Sequence, residues 1–142
     1  MGRVVNRIKI TNNTDIDNAR AGSIPADAVR SVTVDALVDT GATMMVIPSE
    51  VADKLGLPRG GTRKVKYADG RVAELAWVTS VRLEICGREM TCDALVEAAG
   101  TTPLIGQIPL EALDLIVDPK NRELQVNPAS PDMPLLDLLA VG

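Results

Sequence analysis

The sequence predicts a mainly β fold in a single domain with two short helices, and three observations lead there. The 142 residues suffice for one hydrophobic core and are too few for two. Hydrophobic residues make up 46% of the chain, yet Tyr67 and Trp77 are its only aromatics, so Val, Ile, Leu, Ala and Met must fill the core, a mixture rich in strand formers. Finally, β-rich runs recur between tight turn signals, of which Asp69-Gly70 is the strongest.

In chain order, Val4, Ile8 and Ile10 alternate with Val5, Arg7 and Lys9, the pattern of a half-buried strand. The polar stretch Asn12 to Gly22 reads as a loop. Ser31 to Val38 is β-rich and stops abruptly at Asp39-Thr40-Gly41. Met44 to Ile47 is apolar again, and Pro48-Ser49-Glu50 opens a short helix closed by Gly56 and Pro58. Thr62 to Tyr67 and Arg71 to Ile85 read as two strands joined through Asp69-Gly70. A second hairpin turns near Gly87-Arg88 into Met90 to Val96. Leu104-Ile105-Gly106 precedes a second short helix around Pro109 to Leu113. Leu115 to Val117 then turns through Asp118 to Asn121 into Leu124 to Val126. Residues 1–127 form the expected domain. Residues 128–142 form a Pro-rich and apolar tail ending PLLDLLAVG, too short to span a membrane and apolar enough to want a partner surface.

Composition and absences narrow the function. A net charge of -4, with Lys and Arg scattered and no interleaved aromatics, gives no stripe to track a phosphate backbone, so no nucleic-acid partner is expected. No apolar run reaches the length of a membrane span, and MGRVVNRIKI lacks an apolar core with a cleavage site. A cytoplasmic protein with no membrane partner is the expectation. Gly2 opens no myristoylation motif because Asn6 stands where Ser or Thr is required, and the Asn12-Asn13-Thr14 sequon carries little weight without secretion. With no His, neither a Ser-His-Asp nor a Cys-His set can be built, and the commonest transition-metal ligand is missing. Cys86 and Cys92 match no zinc spacing and read as buried free thiols. Chemistry must rest on carboxylates, hydroxyls or backbone, with no metal and no organic cofactor.

The informative stretch is ALVDTGAT, Ala36 to Thr43, in which an apolar strand delivers one carboxylate to a turn of small residues. Gly41 and Ala42 carry no bulk, so backbone N–H groups can approach Asp39 closely, orienting and stabilising its ionised form. The Thr40 hydroxyl is available to bond another main chain. The same letters also fit an Asp-Gly turn that merely ends a buried strand. They fit as well the first phosphate-binding element of sugar kinases and related ATPases, but those need two α/β lobes with long helices, which this chain does not show.

ALVDTGAT resembles the active-site signature of the retropepsin-like aspartic proteases, and the likeness extends from roughly Val32 to Asn127. Leu104-Ile105-Gly106 with the helix near Leu110 sits where that family has an apolar-apolar-Gly element supporting the active-site loop. Lys66 to Val72 sits where it has a β-hairpin flap. Two departures are Gln107, where many relatives carry Arg in a structural ion pair, and a flap tip of Ala68-Asp69-Gly70 that is less glycine-rich than in retroviral relatives. The resemblance implies a closed, barrel-like acid-protease fold. It makes Asp39 catalytic, with Thr40, Gly41, Ala42, Leu104, Ile105 and Gly106 supporting the active-site loop. Tyr67, Ala68, Asp69 and Gly70 become flap and substrate-binding residues. On the residues alone, Asp69 is first a turn former, Tyr67 and Trp77 serve packing or substrate equally well, and Asp114 and Asp118 receive no chemistry.

The family's chemistry needs two aspartates on one water, and this chain has one Asp-Thr-Gly, so the resemblance implies a homodimer acting on a peptide or protein substrate. The alternative is a module that keeps the fold for dimerisation and peptide binding but cleaves little. The tail, with Leu135, Leu136, Leu138 and Leu139, is expected either to build the subunit interface or to lie in a neighbouring cleft as an inhibitor.

Overall fold

Buried Ile8 and Ile10 alternate with exposed Arg7 and Lys9 along the first strand, β1 (Val5–Asn12), as the period-2 pattern requires. The computed structural model describes residues 3–138, so Gly2 and Leu139 lie outside the described residues. The strands that follow are β2 (Ser31–Val38), β3 (Met45–Pro48), β4 (Arg59–Lys66), β5 (Val72–Ile85), β6 (Arg88–Glu97), β7 (Leu104–Ile105), β8 (Leu115–Asp118) and β9 (Glu123–Val126). The first seven form one sheet in the order β1-β2-β7-β3-β6-β5-β4, and a further pairing of β1 with β5 partly closes it on itself. The mainly β, barrel-like fold expected from the sequence is therefore the fold observed.

Closure depends on the 14-residue strand β5, which serves two neighbours in succession. Its first half pairs with β4 and its second half with β1, while β6 runs along both. The change of neighbour falls at an irregularity between Val78 and Val81, where Ser80 takes a φ of 58°. The core inside is aliphatic, as a chain without Phe must build it: Ile10, Met45, Ile47, Leu55, Val78, Val81, Leu83, Ile85 and Ile105 are fully buried.

The helices require one correction. Helices α2 (Ser49–Leu55) and α3 (Gln107–Ala112) stand where expected, and Gly56 closes α2 in the left-handed conformation at φ 60°. A loop is expected over Asn12 to Gly22, but α1 (Asn13–Arg20) forms there, giving three α-helices among the described residues instead of two. The reason is tertiary. Asn12 is buried, accepts from the Asp15 N–H at 3.0 Å as an N-cap, and donates to the Leu55 carbonyl at 2.8 Å. Asp15 in turn receives the Arg30 guanidinium from Nε at 2.8 Å and Nη2 at 3.0 Å, and this forked pairing lowers its pKa.

The cysteines divide. Both are free; Cys92 is half-buried and its thiol is pushed up to about 12 by burial. Cys86 is exposed, contrary to the expected burial, because the β5–β6 hairpin turns at Cys86-Gly87, one residue earlier than expected. Both residues take positive φ, 53° and 78°, in the manner of a two-residue primed turn.

The chain beyond β9 is tied down by two side chains. Buried Arg88 donates through Nη1 to the carbonyls of Leu113 (2.9 Å) and Asp114 (3.0 Å), and through Nη2 to that of Ser130. The Asp114 carboxylate accepts from the Ser130 hydroxyl, from Asn127 Nδ2 at 3.1 Å and from the Leu135 N–H at 3.0 Å. These bonds, the Ser130 one foremost, lower the Asp114 pKa from 3.8 to about 2. A depressed carboxylate contributes stability above its unfolded pKa and loses it as pH falls through the folded one. This anchor is therefore whole above pH 3.8 and fades towards pH 2. Asp118 serves its turn, accepting from Lys120 N at 3.0 Å and Asn121 Nδ2 at 2.8 Å.

Candidate active site

Strand β7 is only two residues long, yet it places Asp39. It lies between β2, which it meets in parallel register (Leu37 with Leu104, Val38 with Ile105), and β3, which it meets antiparallel at Val46. The chain leaving β2 is pinned to it immediately: Asp39 N–H donates to the Ile105 carbonyl at 3.0 Å. The loop then turns back, with Ala42 N–H donating to the Asp39 carbonyl at 3.1 Å. It is caught from below by Gln107 N–H on the Ala42 carbonyl (2.7 Å) and Ile108 N–H on the Thr43 carbonyl (3.0 Å). Four backbone bonds thus fix the loop before any side chain is counted.

Gly106 makes this approach possible. A Cβ there would lie 2.6 Å from the Ala42 carbonyl oxygen and 2.8 Å from the Thr43 carbonyl carbon, and would also meet the Met44 carbonyl oxygen. The same argument, more gently, applies to Gly41, whose N–H donates to Asp39 Oδ1 at 3.0 Å. That bond holds one carboxylate oxygen, and Asp39 lines a cleft. Asp39 itself is half-buried, so its charge is partly shielded while its edge is reachable.

The cleft, about 840 Å³, runs from Asp39 to the hairpin of β4 and β5. Its floor is apolar, with Met44, Val46, Leu75, Leu95 and Leu104, and Arg63, Tyr67, Trp77 and Glu97 stand on its walls. At the hairpin end, Tyr67 N–H donates to the Arg71 carbonyl (2.8 Å) and Gly70 N–H to the Tyr67 carbonyl (2.9 Å), with Gly70 at φ 86°. Asp69 Oδ1 accepts from Arg71 N–H at 2.9 Å, the role of a turn former. Tyr67 reaches back to the barrel: its hydroxyl donates to Glu97 Oε2 at 2.7 Å, which raises the phenol's pKa, and Arg71 covers its ring at 4.3 Å.

The residues singled out from the sequence differ in where the fold places them. Asp39, Gly41, Ala42, Leu104, Tyr67 and Ala68 line this one cleft, together with Trp77. Ile105 and Gly106 are buried beneath it as support, while Asp69 and Gly70 form the exposed tip beyond it. Thr40 is exposed and faces elsewhere, bordering a separate hollow of about 580 Å³ shared with Ile116 and Leu135. Gln107 bonds along its own helix to Glu111 at 2.9 Å. Sequence reasoning missed Arg63 and Glu97. The alternation of β4 places Arg63 and Val65 on the face of Tyr67, so Arg63 was legible there; Glu97 was not, since only the pairing of β6 with β3 brings it to the cleft.

One carboxylate with a free oxygen can take a proton from water, but a single carboxylate cannot at the same time polarise a carbonyl. Among the described residues the cleft's other acid is Glu97, and both its oxygens are engaged, by Tyr67 and by Ala98 N–H at 3.2 Å. No group of residues suited to a metal ion occurs among those described, and no described helix is long and apolar enough to cross a membrane. Residues 27–112 match the family model described as gag-polyprotein putative aspartyl protease. No curated protein sequence matches the chain.

Proposed function

The chain belongs to the gag-polyprotein-type, retropepsin-like aspartyl protease family, and from that premise we propose that it is an aspartic endopeptidase working as a homodimer, with Asp39 of each subunit on one shared water. The observation that carries this reading is the lone carboxylate of Asp39 at the cleft, held by Gly41 and a locked loop, with no free second acid beside it among the described residues. A second copy related by a two-fold axis supplies the missing group.

Two carboxylates held about 3 Å apart cannot both ionise at low cost, so the pair shares a proton. The ionised Asp39 acts as general base on the water. Its protonated twin polarises the scissile carbonyl, and a proton then passes to the leaving nitrogen. The substrate lies extended along the apolar floor, bonded to flap main chain and inserting alternate side chains into the cleft. No cofactor enters this scheme. Gly70→Val tests the flap: a β-branched residue at positive φ costs about 1–2 kcal/mol, so kcat/KM for peptides should fall several-fold while the fold survives. Unchanged kinetics would mean that residues 67–72 do not close over substrate.

The tail supports the dimer. Leu135, Leu136 and Leu138 are 66%, 62% and 88% exposed, and Leu135 borders the same hollow as Thr40. Burying such side chains at about 1.5–3 kcal/mol each would shift a dimer equilibrium by orders of magnitude. The test is sedimentation at micromolar concentration, with and without truncation after Asn127, beside cleavage of a mixed peptide library at several pH values. A full-length dimer that cleaves, and that weakens in both respects on truncation, is the expected result. Monomer alone would overturn the shared site. Unchanged dimers with higher activity would assign the tail to inhibition, and equal, null cleavage by wild type and Asp39→Asn would leave a binding module.

A further inference from the structure

Strand β4 and the flap carry a run of cations, two of them in ion pairs among the described residues. Arg59 pairs with Asp53 at 2.9 Å, Arg71 lies 3.9 Å from Asp69, and Lys64 stands across the ladder from Glu74. Arg63 differs. Its guanidinium lies 4.6 Å from the centre of the Trp77 ring on the cleft wall, and no ion pair reaches it among the described residues. Among the described residues Nη1 donates only to the carbonyl of the preceding Thr62, at 2.9 Å. The ring beneath is fixed, because Gly60 passes so near that a Cβ there would come within 2.8 Å of Trp77 Cδ1. Stacking covers one face of the guanidinium and leaves N–H groups at its edge free to take a carboxylate. Beside it, Leu75 and Leu95 offer apolar contact suited to methylenes.

Resting on the peptidase reading, we propose that Arg63, held over Trp77, is a specificity-determining residue that selects peptides carrying a glutamate side chain at one subsite of the cleft. Glutamate fits on two counts: its methylenes match the apolar floor, and its planar carboxylate matches the guanidinium edge. Lys64 and Lys66 alternate with Arg63 on the strand but also border the cleft, so Lys64→Gln separates the guanidinium held over Trp77 from cationic charge in general.

The contribution lies between that of an exposed ion pair, a few-fold, and that of a buried charge-assisted bond, about a hundredfold, so a preference of roughly tenfold is expected. The experiment uses synthetic octapeptides on a Leu/Ala background, with Glu, Gln or Lys placed at each position in turn. Cleavage is followed with wild type, Arg63→Gln, Arg63→Glu and Lys64→Gln. Binding to Asp39→Asn, with and without Arg63→Gln, is followed by the fluorescence of Trp77, the chain's one tryptophan. Expected are a roughly tenfold preference for Glu over Gln at one position, carried in KM, its loss in Arg63→Gln, a turn towards Lys in Arg63→Glu, and retention in Lys64→Gln. Equal rates and equal binding of Glu and Gln peptides at every position overturn the subsite, as does a preference that survives Arg63→Gln. If nothing is cleaved but Glu peptides still bind Asp39→Asn more tightly in an Arg63-dependent way, the subsite stands and the peptidase reading falls.

Discussion

Asp39→Asn should lower peptide cleavage by at least about 10⁴-fold and leave the fold unchanged. The size follows from what is removed. In the proposed dimer the substitution takes away the general base and its protonated partner together, and general acid–base catalysis alone contributes about 10²–10⁴-fold. The amide cannot ionise to accept the water's proton. The fold is spared because Asn has nearly the shape of Asp and its side-chain oxygen can still accept the Gly41 N–H that Asp39 Oδ1 accepts at 3.0 Å. The loop is held in any case by backbone bonds that involve no side chain. Melting should therefore stay within about 0.5 kcal/mol of wild type, the range of a substitution that breaks no packing. Measured together, kcat/KM and thermal unfolding decide the matter. Retained cleavage would move the chemistry to another residue, and lost cleavage with a collapsed melting temperature would mean that Asp39 had been structural.

How far the sequence foretold this can be seen at particular residues. The strands were legible because β1, β5 and β6 alternate and because Asp69-Gly70 turns with Gly70 at φ 86°. Asp39 and its small neighbours were legible because eight consecutive residues carry the whole motif. Helix α1 was not, although Asn12 is a favoured N-cap residue, because six of its eight residues are polar and what holds them, Arg30 and the end of α2, lies far along the chain. The tail's attachment was hidden for the same reason. Asp114, which received no chemistry from its sequence setting, gathers bonds from Asn127, Ser130 and Leu135, and Arg88 adds others from β6. Local pattern reports burial and turns; it does not report which distant side chain completes a polar group.

The largest stability effect should come from Gly106→Ala, and a comparison with Gly70 shows why. Gly106 has φ -91° and ψ -170°, extended backbone open to any residue, so conformation places no demand for glycine. Space does. The added methyl would press on the carbonyls of Ala42 and Met44 and on the Thr43 carbonyl carbon, all backbone atoms. They cannot move aside without stretching the bonds from Gln107 and Ile108 that hold the loop. Overpacking against side chains costs about 1–3 kcal/mol, and backbone that cannot rotate away places Gly106→Ala at the upper end, about 3 kcal/mol or more. That corresponds to a fall in melting temperature on the order of 10 °C for a domain of this size. At Gly70 the terms reverse: nothing lies within 4 Å of a Cβ, and the left-handed φ is the whole objection, so Gly70→Ala should cost only about 1 kcal/mol. Because the shift at Gly106 passes directly into residues 42–44, cleavage should fall even at temperatures where Gly106→Ala remains folded. A Gly106→Ala protein that melts and cleaves like wild type would show that β7 and the Asp39 loop are not locked together as the structure has them.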